Sequence, residues 1–396
     1  MLDHGHLTET AVTWLRSRGP EMESALASLV EENSFTINVN GGNRVGSLLR
    51  ELFEGPDLTC ESRKSTSFAD HLVFRSEGEG KPIALVGHLD TVYPPGTFEG
   101  YRREGGLARG PGVLDMKGGL VVAGYALLAL GHVDVLSELP VRFVIVSDEE
   151  VGSPEGRLVL RDAAGHATCG LVFEAGRAGD AIVTRRKGTG SMIAVARGRA
   201  AHAGNVHHEG VSAIWALARF IDRAQALTSY GRGRTVNVGT VEGGHARNTV
   251  PDLARAELDI RFTSIEDGEQ LVTELEREAR EAASSLPGSS LELSGGISRQ
   301  PLERSRASES LCAEYAACAK ASGLTAVEAP LVGGGSDAST LSAVGVPCID
   351  ALGPRGAGFH THDEHIEIAT LIPKAEAVVR FLMGRLDRRR AEGRAD

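Results

Sequence analysis

The stretch IVSDEEVGSPEG, residues 145–156, sets Asp148, Glu149 and Glu150 side by side after Ser147, which ends the apolar run VRFVIV. Adjacent carboxylates repel and raise one another's pKa, and a bound cation is the simplest compensation. Other acids and imidazoles stand at comparable places. His88 and Asp90 follow an apolar run in GHLDTV, and Asp115 precedes a helical stretch in GPGVLDMKGG. Glu174 ends a run in LVFEAG, and His360, His362 and His365 cluster in GFHTHDEHIE. Singly, each has an ordinary explanation: a loop histidine, an N-cap aspartate, a solvated glutamate pair. Together they form a donor set of imidazole and carboxylate without thiolate. That set suits a catalytic zinc site, with cobalt or manganese as substitutes.

The spacing adds chemistry. Two residues apart at a strand tip, His88 and Asp90 face the same way. Asp90 can then accept the second ring N–H of His88, fixing its tautomer and raising its basicity. Glu149 and Glu150, being adjacent, point in different directions. One can ligate a metal while the other stays free above it as a general base, as a hydrolase needs.

Such groups must be carried by strand ends, and the sequence supplies them. Residues 20–34 and 42–54 have helical spacing of apolar positions, and GKPIALVGHLDTV reads as a strand with a polar tip. The helix DMKGGLVVAGYALLALG, the strand VRFVIVS, a helix near 155–164 and the strand GLVFEAG follow. Strands alternating with helices predict an α/β fold, a mostly parallel doubly wound sheet whose ligands sit at the carboxyl ends of the strands.

The texture changes after Lys187. SMIAVARGRAAHAG reads as a strand, VSAIWALARFIDRAQAL as an amphipathic helix, and RTVNVGTVEGG and ARAELDIRFT as half-exposed antiparallel strands. The charged helix EDGEQLVTELEREAREAASSL and the short strand SSLELSG complete a strand-helix-strand-strand-helix-strand order, an inserted α+β, ferredoxin-like module. From about 298 the α/β pattern returns, with the helix SESLCAEYAACAKASG, a Gly-rich turn, the strand VPCIDAL and a last helix from about 369. The expected organisation is a catalytic domain over 1–187 and 298–396, interrupted by an inserted domain over 188–297.

The bulk numbers narrow the function classes. A chain of 396 residues is long for one core and comfortable for two domains. A net charge of −11 with no basic block except the C-terminal RLDRRRAEGRAD argues against a nucleic-acid partner. No uninterrupted apolar run approaches the roughly 18 residues of a membrane span, and no secretory leader is visible, so no membrane partner is expected. Cysteines 60, 169, 312, 318 and 348 are odd in number and never spaced CxxC. Reduced, mostly buried thiols in a cytoplasmic protein are the expectation.

GHLDTV, GPGVLDMKGG, SDEEVGS, the Glu of FEAG, the HAG of the inserted module and the late GFH, in this order over about residues 80–370, resemble the co-catalytic zinc exopeptidases. That family includes glutamate carboxypeptidase, acetylornithine deacetylase, succinyl-diaminopimelate desuccinylase and aminoacylase. HLDTVYPPG, GPGVLDMKGG and GGGSDAS are most similar to its bacterial glutamate carboxypeptidase branch.

The resemblance implies two Zn²⁺ ions, bridged by Asp115. His88 and Glu174 would complete one site, and Glu150 and His360 the other. Glu149 would be the general base, and the Asp115–Met116 bond would be cis. His362 and His365 are read as loop or rim residues, because His360 alone has an acidic pair, Asp363 and Glu364, three and four positions on.

In RAAHAGNVHHEG, His202 corresponds to the residue that reaches a partner subunit's site and donates to the oxyanion, which implies a homodimer through the inserted lid domain. His207 and His208 have no counterpart. Asn248, Arg261 and the backbone N–H groups of Gly334 and Gly335 resemble contacts to a substrate carboxylate, although Arg261 also reads as a strand-surface charge. Lys187 in RRKGTG is read as a hinge that also touches substrate.

The expected reaction is hydrolysis of an amide beside a free carboxylate in a small peptide or N-acyl amino acid. Release of a C-terminal residue such as glutamate is the first reading, and N-acyl amino acid deacylation the alternative. A non-catalytic binding protein on the same fold would lack the base or a ligand, and here every position is filled.

Overall fold

A computed structural model describes residues 4–392. It divides into two compact units. The first runs through Thr184 and takes up Arg304–Pro330 and the chain from Ser336; the second comprises Arg185–Glu303 and Leu331–Gly335.

The first unit is built on a six-stranded sheet in the order Thr59–Arg63, His71–Arg75, Val141–Val146, Ile83–His88, Cys169–Val172, Cys348–Ile349. The last four run parallel to one another, and the first two are an antiparallel extension. The central strands are continuous apolar runs because both faces are covered: all six residues of Ile83–His88 are buried. Register aligns His88 with Val146, so the Ile83–His88 and Val141–Val146 strands end level and their polar tips emerge together.

Beside this sheet lies the helix Gly118–His132. Twelve of its fifteen residues are buried, so it is apolar all round rather than amphipathic. Here the structure corrects one reading. Counting uninterrupted runs, broken at Asp115 and Lys117, hid the fact that the helical span Val113–His132 is long and apolar enough, by length and composition, to cross a membrane. It is the core helix of this unit, with 89% of the apolar window buried.

The Asp115–Met116 peptide bond preceding that helix is cis, as the resemblance implied. Gly112, just before it, is a position where glycine is required. Its φ is +72°, and a Cβ there would stand 2.6 Å from Thr91 Cγ2.

The second unit has a four-stranded antiparallel sheet in the order Thr235–Gly243, Leu253–Phe262, Gly188–Arg197, Ser290–Arg299. The helices Ala213–Gln225 and Ile265–Ser284 pack on it through a separate core that includes Leu217, Phe220, Leu271 and Leu275. This is the split βαβ arrangement the element order predicts. The run 191–204 is not one strand. It breaks at Gly198, where a Cβ would meet the Val211 carbonyl oxygen at 2.0 Å, and resumes as the two-residue ladder Ala201–His202 against Thr249–Val250.

Candidate metal centre

The carboxyl ends of the parallel strands and the loops beside them bring the predicted acids and imidazoles of the first unit together. His88 ends its strand almost fully buried. Its Nε2 lies 3.2 Å from Asp115 Oδ1 and 3.8 Å from Glu174 Oε2. His360, from the far end of the chain, places Nε2 3.4 Å from Asp115 Oδ2 and 3.2 Å from Glu150 Oε2. Asp115 thus turns one carboxylate oxygen to each imidazole. Ligand atoms of His88, Asp115 and Glu150 lie within 4.8 Å of one another, as do those of His88, Glu149 and Glu174.

These spacings fit a cation pair. Donors about 2.0–2.1 Å from a tetrahedral zinc ion stand roughly 3.3 Å apart from each other. The His88–Asp115, His360–Asp115 and His360–Glu150 separations match that edge length. The donor set is nitrogen and oxygen throughout, which suits Zn²⁺, Co²⁺ or Mn²⁺.

The electrostatics tell the same story. Burial opposes the imidazolium form of His88, but hydrogen bonds with Asp115, Asp90 and Glu174 outweigh it and raise its pKa well above the ordinary value. Hydrogen bonds with Asp115 and Glu150 raise His360 to about 10. Burial, with the charge of Asp115 added, pushes Glu174 up to about 7, and burial raises Glu150 too. Asp115 is also pushed up by burial, yet its hydrogen bonds with the two imidazoles hold it below the carboxylate range. Buried acids crowded to this degree favour positive charge nearby, which divalent cations would supply.

Asp90 does more than its spacing indicated. His88 Nδ1 is 3.0 Å from the Asp90 carbonyl oxygen and 3.4 Å from its carboxylate. The same carboxylate accepts the backbone N–H groups of Glu149 (3.1 Å) and Glu150 (3.2 Å) and the hydroxyl of Thr36 (2.8 Å). It therefore orients both the imidazole and the turn that carries the two glutamates. Asp148, the first acid of the run, stands apart. It is buried and accepts from Glu155 N (2.8 Å) and Gly156 N (2.9 Å) at the start of the helix Gly156–Ala164.

Two residues were not assigned a role from the sequence. Glu364, read there only as half of the acidic pair that marks His360, is 0% exposed. Its carboxylate accepts from Gly112 N, Leu114 N, Asp115 N and the Tyr93 hydroxyl. Thr36 lies in a segment that offered no motif at all. His362 stacks on Phe98 at 5.4 Å, and His365 Nδ1 faces the Asp363 carbonyl at 2.8 Å.

The other predicted residues belong to the second unit. His202 is exposed, and its Nδ1 accepts from Gly204 N (3.1 Å) and Asn205 N (3.2 Å). That fixes the proton on Nε2. The neighbouring Asn248, also exposed, accepts from Ala203 N through its backbone carbonyl oxygen. Arg261 is engaged by Asp259 on its own strand, through Nε at 2.7 Å and Nη2 at 2.8 Å. Gly334 and Gly335 turn their carbonyl oxygens to Arg186 Nη1, at 3.2 and 3.4 Å. The Lys187 N–H pairs with the Val332 carbonyl.

Comparison with known proteins gives the family and the fold. Peptidase family M20/M25/M40 matches residues 84–384. Carboxypeptidase G2 of Pseudomonas sp. (strain RS-16) is 27% identical over 373 residues, 92% of this chain and 89% of its own length. A succinyl-diaminopimelate desuccinylase of Cereibacter sphaeroides is 30% identical over 362 residues, 85% of this chain and 92% of its own. Among solved structures, a dinuclear metal-binding M20 peptidase of Bacillus subtilis shares the fold. Its TM-score is 0.69 at 14% identity, covering 94% of this chain and 99% of that one.

Proposed function

This chain belongs to the M20/M25/M40 peptidases, and from that premise we propose a two-zinc carboxypeptidase that releases a C-terminal amino acid such as glutamate. The membership itself makes it a metallo-hydrolase of peptide or amide bonds. Asp115, with one oxygen toward His88 and the other toward His360, carries the two-ion part of this reading, and the similarity to carboxypeptidase G2 supports C-terminal release.

In this reading His88, Glu174 and Asp115 would hold one ion, and His360, Glu150 and Asp115 the second. Ions held there would supply Lewis-acid polarisation of the scissile carbonyl and a lower pKa for an attacking water. Glu149, its backbone fixed by Asp90, takes the proton from that water and delivers it to the leaving amine. Asp90 keeps the His88 ring oriented throughout. His202, protonated on Nε2, is the donor to the oxyanion. Asn248, Arg261, Lys187 and the Gly334–Gly335 backbone hold the substrate carboxylate. For Arg261 this requires exchange or sharing of its Asp259 partner.

The protein acts as a homodimer through the second unit. The edge strand Thr235–Gly243 and the exposed side chains of Ile214, Trp215, Val241 and Leu253 support that placement. All five cysteines are free thiols, which suits a reducing cytoplasm.

The similarity to the desuccinylase favours a second reading, deacylation of an N-acyl amino acid. Zn²⁺- or Co²⁺-loaded protein assayed on folate-like, N-acetyl and dipeptide substrates separates the two. Preferential release of C-terminal glutamate supports the carboxypeptidase reading, and faster cleavage of the N-acyl amino acids replaces it. No turnover of any carboxylate-bearing amide would end both.

A further inference from the structure

Three loops of the first unit meet at one buried carboxylate. Glu364 follows His360 by four residues, and it receives three backbone N–H groups from the segment around Asp115. Oε1 accepts from Leu114 N (2.8 Å) and Asp115 N (2.9 Å); Oε2 accepts from Gly112 N (3.1 Å). The fourth donor comes from the loop that follows His88. The Tyr93 hydroxyl lies 2.8 Å from Oε2 and 2.9 Å from the Thr361 carbonyl oxygen, so its single proton holds the 360–364 turn from either acceptor.

An ionised carboxylate is acceptor-only, and here both oxygens are fully used. Glu364 is completely buried, so water cannot take over any of these bonds. Nothing else among the described contacts links the backbones that present His88, Asp115 and His360 through one group.

We infer that Glu364, assisted by Tyr93, is a positioning residue that sets how far the Asp115 carboxylate stands from the imidazole of His360. The inference rests on the two-metal reading above, because its effect is on the fit of the second ion. Asp115 reaches both imidazoles, but the His360–Glu150 pair depends on the 360–364 turn being in place. Loss of the clamp should therefore weaken one equivalent of metal more than the other. Partners of this kind outside the ligand shell typically change affinity by about ten- to a hundredfold.

In Glu364→Gln an NH₂ replaces one acceptor oxygen. The amide settles with that NH₂ toward Gly112 N and the Tyr93 hydroxyl, because the hydroxyl alone can turn away, to Thr361. The expected cost is one good acceptor and a shifted 360–364 turn.

The test is a Co²⁺ titration of metal-free wild type, Glu364→Gln and Tyr93→Phe, followed by calorimetry and by the visible absorption of the bound ion. Wild type should take two equivalents. Glu364→Gln should bind the first nearly as wild type does and the second about ten- to a hundredfold more weakly, with an altered Co²⁺ spectrum. Tyr93→Phe, which keeps the carboxylate and serves if the first variant fails to fold, should show a smaller loss in the same equivalent.

Variants that melt earlier but bind both equivalents with wild-type affinity overturn the inference, since the clamp would then be structural only. Wild type that takes up no Co²⁺ removes the two-metal reading and this inference with it.

Discussion

Glu149 is the residue on which turnover should depend most. Its carboxylate lies within 4.8 Å of ligand atoms of His88 and Glu174, while its backbone is held by Asp90. Glu149→Gln should lower kcat by roughly 10²–10⁴-fold, the range for a lost general base, with KM and metal content nearly unchanged. Steady-state kinetics with elemental analysis checks this, and equal rates would remove Glu149 from the mechanism. Thr36 is a finer probe. Thr36→Val removes one of the hydrogen bonds that orient the Asp90 carboxylate and should cost about tenfold in kcat. Thr36→Ser, which keeps the hydroxyl, should recover most of it; a serine variant as slow as the valine one would mean that packing, not the hydroxyl, matters there.

At the scale of elements, the site exists because strand ends and one helix start are brought level. Gly119, in the first turn of Gly118–His132, shows how tight that is. A Cβ there would lie 2.0 Å from the Phe173 carbonyl oxygen, one residue before Glu174. Gly119→Ala must push the helix from the Cys169–Val172 strand. A stability loss of about 1–3 kcal/mol and weaker metal binding are expected together, measured by urea unfolding and metal titration of the same samples. Weakened stability with unchanged metal affinity would show that the helix start and the ligands are independent.

What the sequence made legible follows from the same elements. The Ile83–His88, Val141–Val146 and Cys169–Val172 strands are buried on both faces and read as apolar runs, so the acids at their ends could be listed from spacing alone. Thr59–Arg63 lies at the sheet edge with every residue at least partly exposed. TCESR has no apolar signal, and the strand was missed. The helix His4–Arg16 has no acid in its first turn to mark its start, and its apolar stripe of Leu7, Ala11, Val12 and Leu15 went unread beside the more evident helices that follow. Glu364 and Thr36 could not be assigned because their meaning is held by partners far along the chain, at Gly112, Asp115 and Asp90. Spacing within a motif carries no trace of such pairings.

For the molecule as a whole, buried ionisable groups dictate how stability varies with pH. Burial pushes the Cys169 thiol up to about 11 and raises Cys348 further. A folded-state pKa above the unfolded one contributes stability that is complete below the unfolded pKa and is lost as pH rises through the folded one. For these thiols that window opens near 9, and each contributes a slope of roughly 1.4 kcal/mol per pH unit within it. Lys374, lowered to about 8 by burial, works the other way, because its unfolded form keeps the proton up to its ordinary pKa. Urea unfolding at several values between pH 9 and pH 11, where the two thiols outweigh Lys374, should show falling stability. Cys169→Ala combined with Cys348→Ala should flatten the fall, and an unchanged slope would mean that other groups govern it.

The path of the chain has its own consequence. The second unit is not a single uninterrupted insertion, because Leu331–Gly335 returns to it after the first unit has resumed. That short return pairs with the segment at the start of the insertion, through Lys187 N to Val332 O and Val332 N to Arg185 O. A fragment cut at the two obvious junctions would therefore lose a piece of its own hydrogen-bonded ladder. Anyone transplanting this module to another enzyme has to carry five distant residues along with it, or rebuild that edge from new sequence.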